Sequence, residues 1–203
     1  MMKRLDYIAS LLKGYDIALD IGSDHGYVLK KALDLGYINK GIASEIAPGP
    51  LENAKTNLKN YPVTFYLSDG FDKINEKFDI AIISGMGVYT IIDILNRAPK
   101  CEYILQPNDK HEVLRKYLME NGYIITEEHI TFDKFYYIII KVKPGNENLS
   151  EEDIFLGPKL RLNKNAKDYY KLKYDQLSKI LLVCDNETKK NITKQINYLK
   201  KEI

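Results

Sequence analysis

The sequence predicts an α/β fold: a mostly parallel, doubly wound Rossmann-like sheet that ends in an antiparallel hairpin and is followed by an α-helical hairpin. Three observations predict it. Apolar strand-like runs alternate with helix-like runs through residues 1–121. Two β-rich runs, 123–131 and 135–142, are separated only by Phe132-Asp133-Lys134, too short for a crossover helix, so they pair antiparallel. Beyond the polar breaker at 143–148, apolar residues step by four and three, the spacing of packed helices.

Each element has its own signal. Leu5, Ile8, Leu11 and Leu12 recur at helical spacing ahead of Gly14, which predicts an opening amphipathic helix. Strands are expected at 17–21, 41–45, 63–67, 78–84 and 102–106, with helices at 27–35, 50–59, 88–97 and 110–121. The strands are short apolar runs, the pattern of strands covered by helices on both faces. In the last segment Tyr170, Tyr174, Leu177, Leu181 and Cys184 form one seam and Ile192, Ile196, Leu199 and Ile203 a second, with Asp185-Asn186 as turn and N-cap between them. The product is an antiparallel helical hairpin resembling a short coiled coil. Two regions follow, a sheet domain at 1–148 and a basic helical hairpin at 149–203.

Length and composition narrow the class. At 203 residues and 45% hydrophobic content, the chain buries one substantial core and a small appendage. Cys101 and Cys184 stand far apart with no C-x-x-C partner, which argues against a zinc site or a disulfide framework and fits a reducing cytoplasm; no metal is expected. The first residues resemble no secretory signal and no apolar run is long enough for a bilayer, so a cytoplasmic protein without a membrane partner is expected. The net charge of +2 conceals an asymmetry: residues 1–150 hold 18 Lys and Arg against 20 Asp and Glu, whereas residues 151–203 hold 12 against 8. From Lys159 to Lys201 only Asp168, Asp175, Asp185 and Glu187 interrupt those cations, the pattern of a solvated helix surface or of a polyanion contact.

The junction Asp20-Ile21-Gly22-Ser23-Asp24-His25-Gly26-Tyr27 joins the first strand to a helix. Such a turn aims backbone N–H groups at a ligand, and an acid ending the strand holds an amine or hydroxyl. The dinucleotide pattern G-x-G-x-x-G needs a glycine where Asp24 stands, and a carboxylate there repels a diphosphate; no P-loop occurs either. An acid-lined glycine turn suits a cationic ligand, of which S-adenosylmethionine is the common example. Glu45, with Ile46 beside it, ends the second strand just over twenty residues past Gly22, where an acid accepts hydrogen bonds from ribose hydroxyls. Asp69 and Gly70 follow the third strand, placed to receive an adenine amine, and Gly85, Met86 and Gly87 follow the fourth, small residues around one apolar wall. All four loops leave the C-terminal ends of parallel strands, where open α/β sheets bind ligands.

Asp-Ile-Gly-Ser-Asp-His-Gly-Tyr at 20–27, Ser-Gly-Met-Gly at 84–87 and Leu-Gln-Pro-Asn at 105–108 together resemble the signature blocks of the bacterial tRNA (adenine(22)-N1)-methyltransferase family, TrmK, over nearly the whole chain. The first block, with its Ser-Asp-His insertion, is far more specific than a generic glycine motif. The resemblance implies methyl transfer from S-adenosylmethionine to N1 of an adenine in the D-arm region of tRNA, on a class I methyltransferase domain whose C-terminal coiled coil assists tRNA binding. Its cofactor-facing residues are then Asp20, Gly22, Ser23, Asp24, His25, Gly26, Glu45, Ile46, Asp69, Gly70, Gly85, Met86 and Gly87. Asp24 helps hold the cofactor or offsets charge on the methylated base, His25 shapes the reaction pocket, Tyr27 stands at its mouth, and Asn108 with Gln106 meets the adenine edge. A helix-cap role for His25 and a structural turn at 106–108 are the alternatives. The family pattern often has alanine at Gly26, a conservative change, and glycine at Val88, where valine is expected to crowd the loop after the fourth strand. A monomer is expected, although the helical seam is also suited to dimerisation. The competing readings are a dinucleotide-dependent oxidoreductase, a non-catalytic RNA-binding protein on the same fold, and a methyltransferase for another acceptor.

Overall fold

The alternation in the sequence is realised element by element in the computed structural model, which describes residues 2–203. The order is α1 (Arg4–Ser10), β1 (Ile17–Ile21), α2 (Tyr27–Asp34), β2 (Lys40–Glu45), α3 (Pro48–Asn57), β3 (Val63–Leu67), β4 (Ile80–Met86), α4 (Val88–Asn96), β5 (Glu102–Pro107), α5 (His111–Glu120), β6 (Tyr123–Phe132), β7 (Tyr136–Pro144), α6 (Glu151–Leu156), α7 (Lys167–Leu181) and α8 (Asn186–Leu199). Seven strands form one sheet in the order β3-β2-β1-β4-β5-β7-β6. The first five run parallel, and β7 lies antiparallel to both β5 and β6.

The strands are apolar on both faces because both are covered. Leu19, Ile83 and Leu105 enter one buried cluster with α4 and α5, while Ala18, Ile82 and Ile104 enter the other with α1 and α2. Successive strand residues point to opposite faces, so neither face of the central strands can be polar.

Three local departures from expectation have physical causes. Strand β4 continues past Ser84 to Met86 through a bulge: Ser84 pairs with Gln106, Met86 pairs with Pro107, and Gly85, at φ +77°, absorbs the extra residue. Its start is Ile80 instead of residue 78, because the Asp79 carboxylate accepts from the backbone N–H groups of Asp16 and Ile17 at 3.0 and 2.9 Å. Val88 does not crowd the loop after β4; as the first residue of α4 it points into the core and is buried.

The chain after residue 148 contains one helix the periodicity did not announce. Ser150 and Asp153 form a reciprocal capping box that starts α6, with the Asp153 N–H donating to Ser150 Oγ at 3.1 Å. Two short 3-10 turns, Leu160–Leu162 and Lys164–Ala166, lead into α7. Asp185 caps α8 as expected, accepting from the Thr188 N–H at 2.9 Å, and α8 closes on α7 with Ile192, Ile196 and Leu199 buried.

A single buried carboxylate fastens this appendage to the sheet. Glu128 on β6 accepts from Arg115 Nε of α5 at 2.6 Å through one oxygen and from the N–H groups of Lys159 and Leu160 at 2.9 and 3.0 Å through the other. Arg115 Nη1 donates in turn to the Ile154 carbonyl that ends α6, at 3.1 Å. Within the appendage the Tyr170 hydroxyl donates to the Leu156 carbonyl at 2.9 Å, joining α7 to α6, and both residues pack into the sheet-domain core.

Glu128→Ala leaves a buried guanidinium without its counter-ion and two backbone N–H groups without their acceptor. The expected loss is about 3–5 kcal/mol, read from the denaturant midpoint, whereas Glu127→Ala, at a half-exposed pair with Lys141, changes stability by less than about 1 kcal/mol.

Candidate functional site

Parallel pairing in register brings the ends of β1 and β2 to one level, with Asp20 opposite Ala43 and Ile21 opposite Ser44. The chain turns immediately afterwards. Gly22 takes φ +70° and donates its N–H to the Ser44 carbonyl at 2.9 Å. A Cβ there meets the Met86 methyl at 2.2 Å, so glycine is demanded by both conformation and space. Asp24 also lies in the left-handed region, at φ +51°; among the described residues Lys110 is the only other non-glycine there. The Asp24 N–H donates to a Glu45 carboxylate oxygen, which ties the turn to the end of β2.

Two carboxylates therefore stand at adjacent strand ends. Asp20 is buried and accepts from Ser23 Oγ at 3.0 Å. Burial pushes its carboxyl up from 3.8 to about 7; the Ser23 hydroxyl opposes that shift, the Glu45 charge adds to it, and Arg4 offsets part. Glu45 is raised as well, chiefly by burial, against the hydrogen bond from the Asp24 backbone. Two acids in a low-dielectric setting call for a cationic or hydroxyl-bearing ligand.

Glu45 faces two adjoining clefts, and Asp20 faces the first of them. The first, about 390 Å³, is walled by Arg4, Asp20, Gly22, Ser23, Asp24, His25, Tyr27, Glu45, Gly85 and Met86. The second, about 170 Å³, is walled by Glu45, Ile46, Asp69 and Gly70 with Met86, Thr90 and Ile94. Gly22, Glu45 and Met86 belong to both. The result is a trough with a polar half and a narrower, largely apolar half. Asp69 stands on the second wall but its carboxylate already pairs with Arg97 at 3.2 Å. His25 stacks on Tyr27, ring centroids 5.3 Å apart at 25°, with Nε2 3.7 Å from Asp24, so this pair forms the outer lip.

Four expected residues do not line the trough: Gln106, expected with Asn108 at the adenine edge, is fully buried and cannot meet a base, and three others stand outside the walls. Gly26, the N-cap of α2, faces α3, where a Cβ meets Leu58 Cδ1 at 2.4 Å with φ at +70°. Alanine at that position is therefore not conservative here, because it adds left-handed strain and displaces Leu58. Gly87 is the N-cap of α4. Asn108 is exposed beside the bulge, outside the cleft walls, its N–H donating to the Met86 carbonyl at 2.9 Å and Nδ2 to the Gly85 carbonyl at 3.0 Å.

The residue that sequence reasoning missed is Arg4. It belongs to α1, read for its leucines alone, yet its guanidinium reaches the cleft wall. Nη1 donates to Gln106 Oε1 at 2.6 Å, and the group lies 5.4 Å from the centroid of the Tyr137 ring. Arg4, Leu5 and Tyr27 also wall a neighbouring cleft of about 510 Å³ that carries Lys3, Lys30, Lys31 and Tyr137. Among the described residues no group of His, Cys, Asp and Glu is placed to hold a metal ion.

The sequence matches the family described as TrmK, tRNA (adenine(22)-N(1))-methyltransferase, over residues 18–203. The tRNA (adenine(22)-N(1))-methyltransferase of Bacillus subtilis (strain 168) is 30% identical over 183 residues, 82% of this chain and 77% of the relative. A Streptococcus pneumoniae protein solved in complex with S-adenosyl-L-methionine shares the fold with a TM-score of 0.87 at 28% identity, over 100% of this chain and 99% of that one. M. capricolum TrmK, solved with S-adenosyl-homocysteine, gives 0.86 at 25% identity over 99% and 96%.

The raised Asp20 carboxyl has a consequence for stability. The folded state holds its proton up to about pH 7 while the unfolded chain releases it near 3.8, so this group's contribution is full at low pH and is lost as pH rises through that window. The melting temperature of Asp20→Asn relative to the parent is therefore expected to climb from about pH 4 to pH 7 and then level off. A pH-independent difference contradicts the assignment.

Proposed function

The chain belongs to the tRNA (adenine(22)-N(1))-methyltransferase family, TrmK, and we propose that its trough over the ends of β1, β2 and β4 is where methyl transfer from S-adenosylmethionine to N1 of adenine 22 in tRNA takes place. The observation that carries this assignment is the pair Asp20 and Glu45, two buried acids with raised carboxyls on a trough that is polar at one end and apolar at the other. S-adenosylmethionine supplies a methyl group already activated by a sulfonium. The residues present fit it: Asp20 offers a partner for its ammonium, Glu45 accepts from ribose hydroxyls, and Ile46, Met86 and Ile94 offer an apolar slot for its purine.

Little covalent work remains for the protein. Adenine N1 carries its own lone pair, so transfer needs alignment and charge compensation rather than a general base. Asp24 at the lip compensates the positive charge that methylation leaves on the base, His25 and Tyr27 form the rim against which the base rests, and Asn108 meets its amino edge. Because N1 lies in the base-pairing edge, the target is presented unpaired or flipped out.

The tRNA strand reaches this rim from the basic hairpin. Several tail cations are neutralised internally: Arg161 by Glu152, Asp153 and Glu202, Lys194 by Glu151, and Lys201 by Glu152. Lys171, Lys179, Lys189 and Lys190 are exposed and enter no ion pair among the described residues, which leaves them for phosphate. The division into a transfer domain at 1–148 and a tRNA-holding hairpin at 149–203 is thus one of task, since Leu156, Leu160 and Tyr170 share the sheet-domain core. The closure of α8 on α7 supports a monomer, and tRNA as the substrate supports a cytoplasmic setting. Among the described residues no helix is long and apolar enough to cross a membrane.

Incubation with labelled S-adenosylmethionine and unmodified tRNA, followed by nucleoside analysis, is expected to show N1-methyladenosine at position 22; cofactor binding without transfer to competent tRNA overturns the assignment. Charge reversal of Lys171, Lys179, Lys189 and Lys190 together is expected to weaken tRNA binding at least about tenfold and to flatten its salt dependence, with cofactor affinity unchanged. Unchanged tRNA affinity refutes the hairpin's role.

A further inference from the structure

We propose that Arg4 is a specificity-positioning residue: it fixes the polarity of an amide relay, Gln106 to Asn108, so that a hydrogen-bond acceptor faces the six-position of the target purine. This inference rests on the functional reading above and adds to it the means by which adenine is selected.

The relay has two ends whose polarity cannot invert. A guanidinium only donates, so Arg4 Nη1 at 2.6 Å requires the oxygen, not the nitrogen, of the Gln106 amide. Gln106 is fully buried, and turning its amide over sets NH2 against the guanidinium and leaves its oxygen facing the Pro107 carbonyl. Its nitrogen is thereby directed to the Pro107 carbonyl at 2.8 Å and to Asn108 Oδ1 at 3.5 Å. At the far end a backbone carbonyl only accepts, so Gly85 at 3.0 Å requires the nitrogen of Asn108. Both constraints turn Asn108 the same way, and an amide oxygen holds two lone pairs, one more than Gln106 engages.

Asn108 is exposed at the end of β5, tied by backbone and side chain to the bulge whose Gly85 and Met86 wall the cleft. An acceptor at this place favours adenine, whose six-position carries an amine, and repels guanine, whose six-position carries an oxygen. Arg4 itself is held from both sides of α1. Lys31 on α2 pairs with Asp6 at 3.5 Å, the Tyr7 hydroxyl meets His129 Nδ1 of β6 at 3.1 Å, and Thr131 of β6 donates to the Met2 carbonyl. The Gly85 bulge accommodates the guanidinium, since a Cβ there comes within 3.0 Å of Nη1.

The test compares two tRNA substrates that differ only at the target, adenine against purine, which lacks the amine. The intrinsic nucleophilicity of N1 differs between them but is common to all enzymes and cancels between variants. The adenine-to-purine ratio of kcat/KM is expected to fall severalfold from parent to Arg4→Met, part of the way to the value shown by Asn108→Ala because the Gly85 carbonyl still holds the Asn108 nitrogen, and to be retained in Arg4→Lys, whose ammonium also only donates. Gln106→Glu keeps a partner for Arg4 but removes the amide donor that orients Asn108, and it is expected to lose the preference equally. A general structural defect lowers both rates and leaves the ratio unmoved. A parent-like ratio in Arg4→Met or in Gln106→Glu overturns the proposal; should Arg4→Met be inactive, Gln106→Glu decides. Failure of the parent to methylate adenine refutes the functional reading instead.

Discussion

Everything at the site depends on the in-register parallel pairing of β1 with β2 and β4. Ile21 lies opposite Ser44 on one side and Ile83 on the other, so three chains leave the sheet at one level. From that level the Ser44 carbonyl receives Gly22, Glu45 receives Asp24, and Met86 closes over Gly22. A slip of one residue sends Asp20 and Glu45 to the opposite face of the sheet, because strand side chains alternate with period two. The apolar residues before them, each committed to one of two buried clusters, make such a slip costly.

The same constraint loads the site with unfavourable terms. Two carboxylates are withdrawn from water at neighbouring strand ends and Asp24 adopts a backbone conformation that costs a non-glycine residue about 1–3 kcal/mol. Such costs persist where the surrounding structure over-determines the geometry, as the ladders of β1 and β2 do here. A ligand carrying a cation and hydroxyls relieves the electrostatic part, so the site is built for what it binds rather than for its own stability.

The helical appendage follows a different logic. Its acids and bases largely serve attachment: Glu128 gathers Arg115 and two backbone N–H groups, while the acidic start of α6 pairs with Arg161, Lys194 and Lys201. Gly157 permits this closure, since a Cβ there lies 2.7 Å from both Arg115 Nη2 and Glu128 Oε2. The surplus lysines toward the hairpin turn are then free of structural duty.

By itself the sequence determined the βα alternation, the glycine turn at 20–27, the acids that end β1 and β2, and the seams of α7 and α8 apart from Ile203, which lies beyond α8 and is exposed, because each is written in spacing and residue type over a few consecutive positions. The family's blocks at 84–87 and 105–108 were legible for the same reason, although the trough uses Gly85 and Met86 directly while Gly87 caps α4 and Asn108 is tied to Gly85 from outside the walls. Only the tertiary structure decided that β7 inserts between β5 and β6, that Gly26 supports α3 instead of a ligand, and that Glu128 anchors residues 159 and 160. It also decided the place of Arg4, 102 residues from its partner Gln106. Periodicity records which face of an element avoids water, but it carries no record of which distant side chain a buried amide or carboxylate must find, since that partner is chosen by packing and by the cost of leaving a buried polar group unpaired.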